Sequence, residues 1–242
     1  ELWRGVLSGE TAVAPHPELR LPGPVPQGAS PQVTHPCAAR VPDAALEGVG
    51  DPRGDALDRT EAMLRAAAAQ IVASPAWERA AADPERLGVC VGTTQGPIVS
   101  WSRHQQRLRD DPHHVPPAPG LEGPTLALAR ALGARGPVSC PSMACATSTA
   151  AIGMGLQWIR AGECDAVVAG GADAVSVLVH QGFACLRALD PELPRPFDRD
   201  RAGLGVGEAA GLVLLTRGDV AGPDAARVAG WGLSSDANHL TG

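Results

Sequence analysis

The stretch Pro137–Gly153, PVSCPSMACATSTAAIG, decides how the rest of the chain is read. Val138-Ser139-Cys140 is a short β-type run that leads into a turn. Small residues follow, and then a helical pattern that continues to about Gly162. Cys145 therefore falls where a strand hands over to a helix. Amide groups of a helix's first turn have no intrahelical partner, and the helix dipole places partial positive charge there. Both effects stabilise negative charge on a sulfur. Ala144, Ala146, Thr147 and Ser148 are small, so a bulky substrate can approach it. The layout is that of a nucleophile elbow, used for covalent acyl transfer. The plainer reading is a small buried cysteine packed among alanines.

Outward from this stretch, apolar runs alternate with helical patterns. Leu87–Thr93, LGVCVGT, and Asp165–Gly171, DAVVAGG, read as buried strands with glycine exits. Pro124–Leu132 reads as a short helix closed by Gly133. The helix after the elbow, Ala146–Ala161, carries Ile152, Leu156 and Ile159 on one face, and Gly162 ends it. Leu57–Ala73 has an apolar face of Leu57, Met63, Leu64, Ala67, Ala68, Ile71 and Val72. Further helices are expected at Trp77–Ala82 and within Val175–Leu189. Glu208–Thr216 and Arg227–Gly232 read as two late strands, and Arg195–Gly205 as a charged, glycine-rich loop. Glu1–Val13 begins as a short amphipathic helix. Residues 14–55 read as irregular with one short strand at 37–41, and 101–122 as polar and irregular. In the latter, His113 and His114 are either a metal or acid/base pair or part of a solvated loop.

The strands lack in/out alternation, so both sheet faces should be covered. The expected fold is α/β: a mixed five-stranded sheet flanked by helices, with an antiparallel pair late in the chain. The glycines of VGTTQG and AGGAD fit neither common phosphate-loop pattern, which argues against nucleotide binding.

Composition sets the outer bounds. At 242 residues, 44% hydrophobic and 19% charged, the chain can bury a core. A net charge of −6 argues against nucleic acid as a partner. Six cysteines, Cys37, Cys90, Cys140, Cys145, Cys164 and Cys185, sit mostly in apolar runs without metal-site spacing. That fits reduced thiols in a cytoplasmic protein. No apolar run approaches the roughly 18 residues of a membrane span, and no signal peptide is evident. The first residue is not Met and the last ones stop abruptly, so the chain reads as a piece of something longer.

Several segments in fixed order resemble the β-ketoacyl synthases, the condensing enzymes of fatty acid and polyketide synthesis, which have the thiolase fold. They are WRGVLSGETAV, LDRTEAMLRAA, GVCVGTTQG, GPVSCPSMACATSTAAIG, AGECDAVVAGGAD, GFACLRAL, RPFDRDRAGLGVGEAAGLVLL and GWGLSSDANHLTG. Each is weak alone. The succession of ACATS, RPFD…GEAAG and SSDANHLT is specific. The resemblance makes residues 1–242 an N-terminal ketosynthase domain, one half of the thiolase-like layered fold. It implies that Cys145 accepts the acyl group from a carrier-bound thioester. A malonyl thioester then loses CO₂ and its carbanion attacks that group. The Cys145 backbone N–H would be one oxyanion donor.

By the same resemblance Gln95, Ala174, Val179 and Phe183 line the acyl tunnel, against a plain core role for Phe183. Gln95 replaces the usual apolar residue, which points to a shorter, more polar or unsaturated chain. His239 and Thr241 lie near the pantetheine entrance. Arg201, Glu208 and Asp236 are expected to form a buried, loop-holding ion-pair set. No resident cofactor is implied, since phosphopantetheine arrives on the acyl carrier protein, the expected partner. The family pairs as a homodimer or heterodimer across the strand at about Pro137–Ser142, whose edge would otherwise be open.

Two departures stand out. Met143 replaces the usual Thr or Ser two residues before the nucleophile and is expected to alter packing beneath the elbow. The family's first strand and its second half, with two catalytic histidines, a lysine, a phenylalanine gate and a second oxyanion donor, are not among these residues. On this reading the chain alone would not decarboxylate malonyl thioesters. A non-catalytic, chain-length-factor type partner is the alternative, disfavoured by Cys145. A thiolase-type condensing enzyme is another, disfavoured by RPFD and SSDANHLT.

Overall fold

A computed structural model describes residues 8, 11–20, 27, 36–49, 57–115, 120–218, 220 and 225–235. In chain order its elements are β1 (Val13–Pro15), β2 (Cys37–Ala39), α1 (Arg59–Val72), α2 (Trp77–Ala80), β3 (Leu87–Gly92), α3 (Ile98–Asp110), α4 (Gly123–Ala131), β4 (Val138–Ser139), α5 (Thr147–Arg160), β5 (Ala166–Asp173), α6 (Val177–Cys185), β6 (Val206–Gly207) and β7 (Ala209–Thr216). The main sheet has the order β4-β3-β5-β7. The first three strands run parallel, and β7 is antiparallel to β5 through the full register Ala166↔Thr216 to Asp173↔Ala209.

Both faces of this sheet are covered, as the continuous apolar runs require. On one face Val89, Val91 and Val168 pack with Leu64 and Ala68 of α1 and Leu128 and Ala129 of α4. On the other, Cys90, Val167 and Ala169 pack with Ala151, Ile152, Trp158 and Ile159 of α5. Each fully buried Val or Leu contributes about 1.5–3 kcal/mol of transfer free energy. Helix ends follow the sequence signals. Asp58 caps α1 by accepting from Thr60 N–H at 2.9 Å. Gly162, at φ +75°, ends α5 with Glu163 N–H returned to the Trp158 carbonyl at 2.9 Å.

Four of the five expected sheet strands are present. Arg227–Gly232 has no strand: the Trp231 ring packs against Gly153 of α5, where an added Cβ would collide with it, and Arg160 donates to the Ala229 carbonyl at 2.8 Å. Those contacts hold the segment on the helix, so the antiparallel neighbour of β7 is β5. A second, three-stranded sheet, β1-β2-β6, is not among the expected elements except for the short strand at 37–41. It packs on α6 through Leu19, Ala38, Val175, Ala184 and Val206. Residues 98–110 are helical rather than irregular. Ile98, Trp101 and Leu108 make a stripe too narrow to stand out in IVSWSRHQQRLRD. The helix expected over Glu1–Val13 falls largely outside the described residues; Val13 itself begins β1. Among the described residues no helix is long and apolar enough to cross a membrane.

Candidate active site

Gly92 ends β3 and pairs with Gly171, two residues before the end of the parallel strand β5, and the first turn of α5 rests on both. A Cβ on Gly92 would collide with Thr147 Cγ2 and lie 2.7 Å from the Pro141 carbonyl. A Cβ on Gly171 would collide with Ser148 Oγ and lie 2.8 Å from the Gly92 carbonyl. Only glycine lets the chain between β4 and α5 cross so close to the strand ends.

That chain is a 3₁₀ turn, Ala144–Ala146, with Cys145 at its centre. Ala144 has φ +47°, a left-handed conformation that costs an alanine about 1–2 kcal/mol. Its carbonyl accepts from Thr147 Oγ1 at 2.7 Å and from Thr94 Oγ1 at a long 3.5 Å. Thr147 Oγ1 also accepts from Met143 N–H at 2.7 Å. Ala146 N–H is committed to the Met143 carbonyl at 3.1 Å and Thr147 N–H to that of Ala144. The Cys145 N–H has no such partner among the described residues. Cys145 is exposed, which removes the buried-cysteine reading. Cys90 and Cys164, by contrast, are buried, and burial with a neighbouring Cys140 pushes the Cys90 thiol up to about 12. No disulfide joins any of the six cysteines.

Sequence reasoning missed the group that holds the adjoining loop. Asp173, the last residue of β5, accepts from Thr93 Oγ1 at 2.6 Å, Thr94 N–H at 2.9 Å and Gln95 N–H at 3.0 Å. Thr93 Oγ1 in turn accepts from Gly96 N–H at 2.9 Å. VGTTQG and AGGAD are thus two halves of one hydrogen-bonded corner. The available signal was the acid two residues after the glycine pair of AGGAD.

The expected tunnel residues divide. Gln95 lies in this corner, and its Oε1 is buried without a hydrogen-bond partner. Ala174 follows Asp173 but is buried with Met63 and Ile98. Val179 and Phe183 are four apart on α6, on one side of the helix. Val179 packs toward the three-stranded sheet, and Phe183 remains 36% exposed. His239, Thr241 and Asp236 lie outside the described residues. Met143 is 40% exposed, so it does not pack beneath the elbow; Thr147 and the strand glycines do.

Glu208 is buried, as expected, but its cation is not Arg201. Its carboxylate accepts from Arg59 Nε at 2.7 Å and from the amides of Val41 and Val175 at 2.9 and 3.0 Å. Burial opposes the charge on Arg59, yet hydrogen bonds from Glu208 and Asp43 keep its pKa above the usual arginine value. Arg201 is exposed and donates to the Asp198 carbonyl within its own loop at 3.0 Å. His114 is paired with His104 of α3 rather than with His113, its Nε2 lying 3.1 Å from His104 Nδ1.

Residues 1–221 match the family described as beta-ketoacyl synthase, N-terminal domain. The chain is 30% identical over 227 residues to the tetracenomycin polyketide synthase ketoacyl synthase alpha subunit of Streptomyces glaucescens, covering 83% of this chain and 52% of that protein. It is 35% identical over 176 residues to the chloroplastic 3-oxoacyl-[acyl-carrier-protein] synthase I of Arabidopsis thaliana, covering 66% and 37%. Among solved structures, a ketosynthase in complex with its chain length factor from Xenorhabdus doucetiae superposes with a TM-score of 0.69 at 29% identity, covering 88% of this chain and 53% of that one. The chain spans about half the length of the curated relatives it matches.

Proposed function

Because this chain belongs to the β-ketoacyl synthase family and has its thiolase-like fold, we propose that Cys145 is the acyl-accepting nucleophile of a decarboxylative condensing enzyme. The observation that carries this reading is an exposed cysteine in the turn that opens α5, beside an uncommitted amide. The Cys145 thiolate attacks the thioester carbon of a carrier-bound acyl group. The new S–C bond forms as the pantetheine S–C bond breaks, and the carrier leaves as a thiolate. The Cys145 N–H faces the oxyanion of that step, a contribution worth about 10²–10³ in rate.

In the whole protein the acyl-enzyme would then meet a malonyl thioester in fatty acid or polyketide synthesis, in the cytoplasm. The buried, unpartnered Gln95 Oε1 favours an acyl chain that brings a polar hydrogen, since an unmet buried acceptor costs about 1–3 kcal/mol. Phosphopantetheine arrives with the acyl carrier protein, so no resident cofactor is required. Pairing with a second ketosynthase-type chain is supported by β4, an edge strand whose Val138 is 37% exposed.

The test is incubation with an acyl-N-acetylcysteamine thioester and mapping of the adduct by mass spectrometry. A thioester on Cys145, absent in Cys145→Ala, is expected. Acylation no faster at Cys145 than at the exposed Cys185 would overturn the reading and leave the non-catalytic partner as the better account.

A further inference from the structure

The geometry points to Asp173 as a positioning residue that sets the nucleophile's turn through Thr94, an inference that rests on the acyl-accepting role of Cys145. The connection runs by hydrogen bonds from Asp173 to Thr94 and, at a long 3.5 Å, from Thr94 to Ala144. One Asp173 oxygen accepts from Thr93 Oγ1 (2.6 Å), Thr94 N–H (2.9 Å) and Gln95 N–H (3.0 Å), and the other also faces Thr94 N–H at 3.1 Å. Three successive residues of the loop after β3 are thereby fixed to the end of β5. Thr94 is the exposed member, and its hydroxyl crosses to the Ala144 carbonyl at 3.5 Å. Ala144 is the left-handed residue directly before Cys145.

The Ala144 carbonyl thus stands between two hydroxyls, Thr94 from the loop side and Thr147 from the helix side. Thr147 belongs to α5 and moves with it. Thr94 does not, so it is the contact that ties the turn to the sheet. A carboxylate suits this task because it only accepts, and all the groups facing it are donors. The consequence is chemical: the orientation of the Cys145 N–H, and so its aim at a thioester oxyanion, depends on a carboxylate that never touches the substrate.

Two reactions at the same sulfur separate this role from a general structural one. Acylation by an acyl-N-acetylcysteamine thioester needs the amide aimed at the oxyanion. Alkylation by iodoacetamide needs only access to the sulfur. Each is read by mass spectrometry as the ratio of Cys145 to Cys185 modification. Thr94→Val is expected to lower the acylation ratio about tenfold, as small displacements of reacting groups do, while the alkylation ratio changes less than twofold. Thr94→Ser restores acylation. Asp173→Asn behaves as Thr94→Val does, and thermal melting shows whether it folds.

If the wild-type protein is not acylated at Cys145, the functional reading falls and this inference with it. If it is acylated, and folded Thr94→Val is acylated as fast, the inference alone is overturned. Equal losses in acylation and alkylation would assign Thr94 to stability and overturn it as well.

Discussion

Glu208 makes a quantitative prediction possible because its surroundings are fully defined. Its side chain is inaccessible to solvent, and that of Arg59 is only 13% exposed. Four donors converge on it: Nε and Nη2 of Arg59 at 2.7 and 2.6 Å, Val41 N–H at 2.9 Å and Val175 N–H at 3.0 Å. The first pair belongs to the start of α1, the third donor follows β2, and the fourth precedes α6. One carboxylate therefore joins three separate pieces of chain. Glu208→Ala leaves the guanidinium without its buried partner, a change worth about 3–5 kcal/mol. Against a domain stability of about 5–15 kcal/mol, that is about a fifth or more. At about 2–4 °C per kcal/mol for a chain of this size, the melting temperature should fall by about 6–20 °C. The assay is urea and thermal unfolding followed by tryptophan fluorescence, with Asp43→Ala as control. Asp43 also binds Arg59, at 2.7 Å, but is 85% exposed, so its loss should leave the midpoint close to wild type. Glu208→Gln should fall between, since it retains an acceptor oxygen. If Glu208→Ala unfolds no earlier than Asp43→Ala, the buried carboxylate does not join these segments and the reasoning fails.

Gly92→Ala should destabilise by about 1–3 kcal/mol, because the added methyl meets Thr147 and the Pro141 carbonyl at once; the same variant should slow acylation of Cys145, and unchanged unfolding and labelling would refute the close approach. Asp165 accepts from Arg86 at 2.8 and 3.0 Å and lies 3.1 Å from Arg217, and chiefly the Arg86 hydrogen bonds hold its pKa below the ordinary carboxylate value. A carboxylate lowered on folding stabilises above its unfolded value of about 3.9 and loses that contribution as pH falls through its folded value. Asp165→Asn should therefore flatten the acid limb of the unfolding curve below about pH 4 relative to wild type, read by fluorescence. Cys90, with its thiol pushed up to about 12 and fully buried, should resist iodoacetamide at pH 8 until the protein unfolds, whereas Cys145 and Cys185 should react in the native state; mass spectrometry of native and urea-treated samples distinguishes the two.

The parts of the fold legible in the sequence are those dictated by local composition. Leu87–Gly92 and Ala166–Asp173 are apolar runs without alternation that carry glycine at or near their ends, which suits strands covered on both faces. α5 is legible because Ile152 and Ile159 mark its buried side and Gly162 its end. What was not legible depends on partners distant in the chain. Arg59 and Glu208 are 149 residues apart, and nothing local in either distinguishes it from a surface charge. Arg227–Gly232 has the composition of a strand, but a tryptophan packed on a helix glycine takes it off the sheet. α3 was hidden because its arginines and glutamines, good helix formers, leave only the narrow apolar stripe of Ile98, Trp101 and Leu108.

The candidate site shows the same division more sharply. The place of Cys145 in the turn before α5 was legible, yet an exposed cysteine alone means little, for Cys185 is exposed as well at the end of α6. What separates the two is the framework beneath Cys145. Gly92 and Gly171 remove side chains so that the turn can descend onto the strand ends. Thr147 and Thr94 hold the left-handed Ala144 carbonyl from opposite sides, and Asp173 anchors Thr94. None of these residues carries the chemistry. Each acts on where one amide and one sulfur lie relative to each other, and on the proposed mechanism reactivity toward a thioester would depend on that relation more than on the sulfur itself. A cysteine placed at Ala146, one residue further along the same turn, would share the exposure and the helix start, but its N–H is already committed to Met143. It should alkylate readily and acylate poorly, which is the distinction between an accessible thiol and a nucleophile in place.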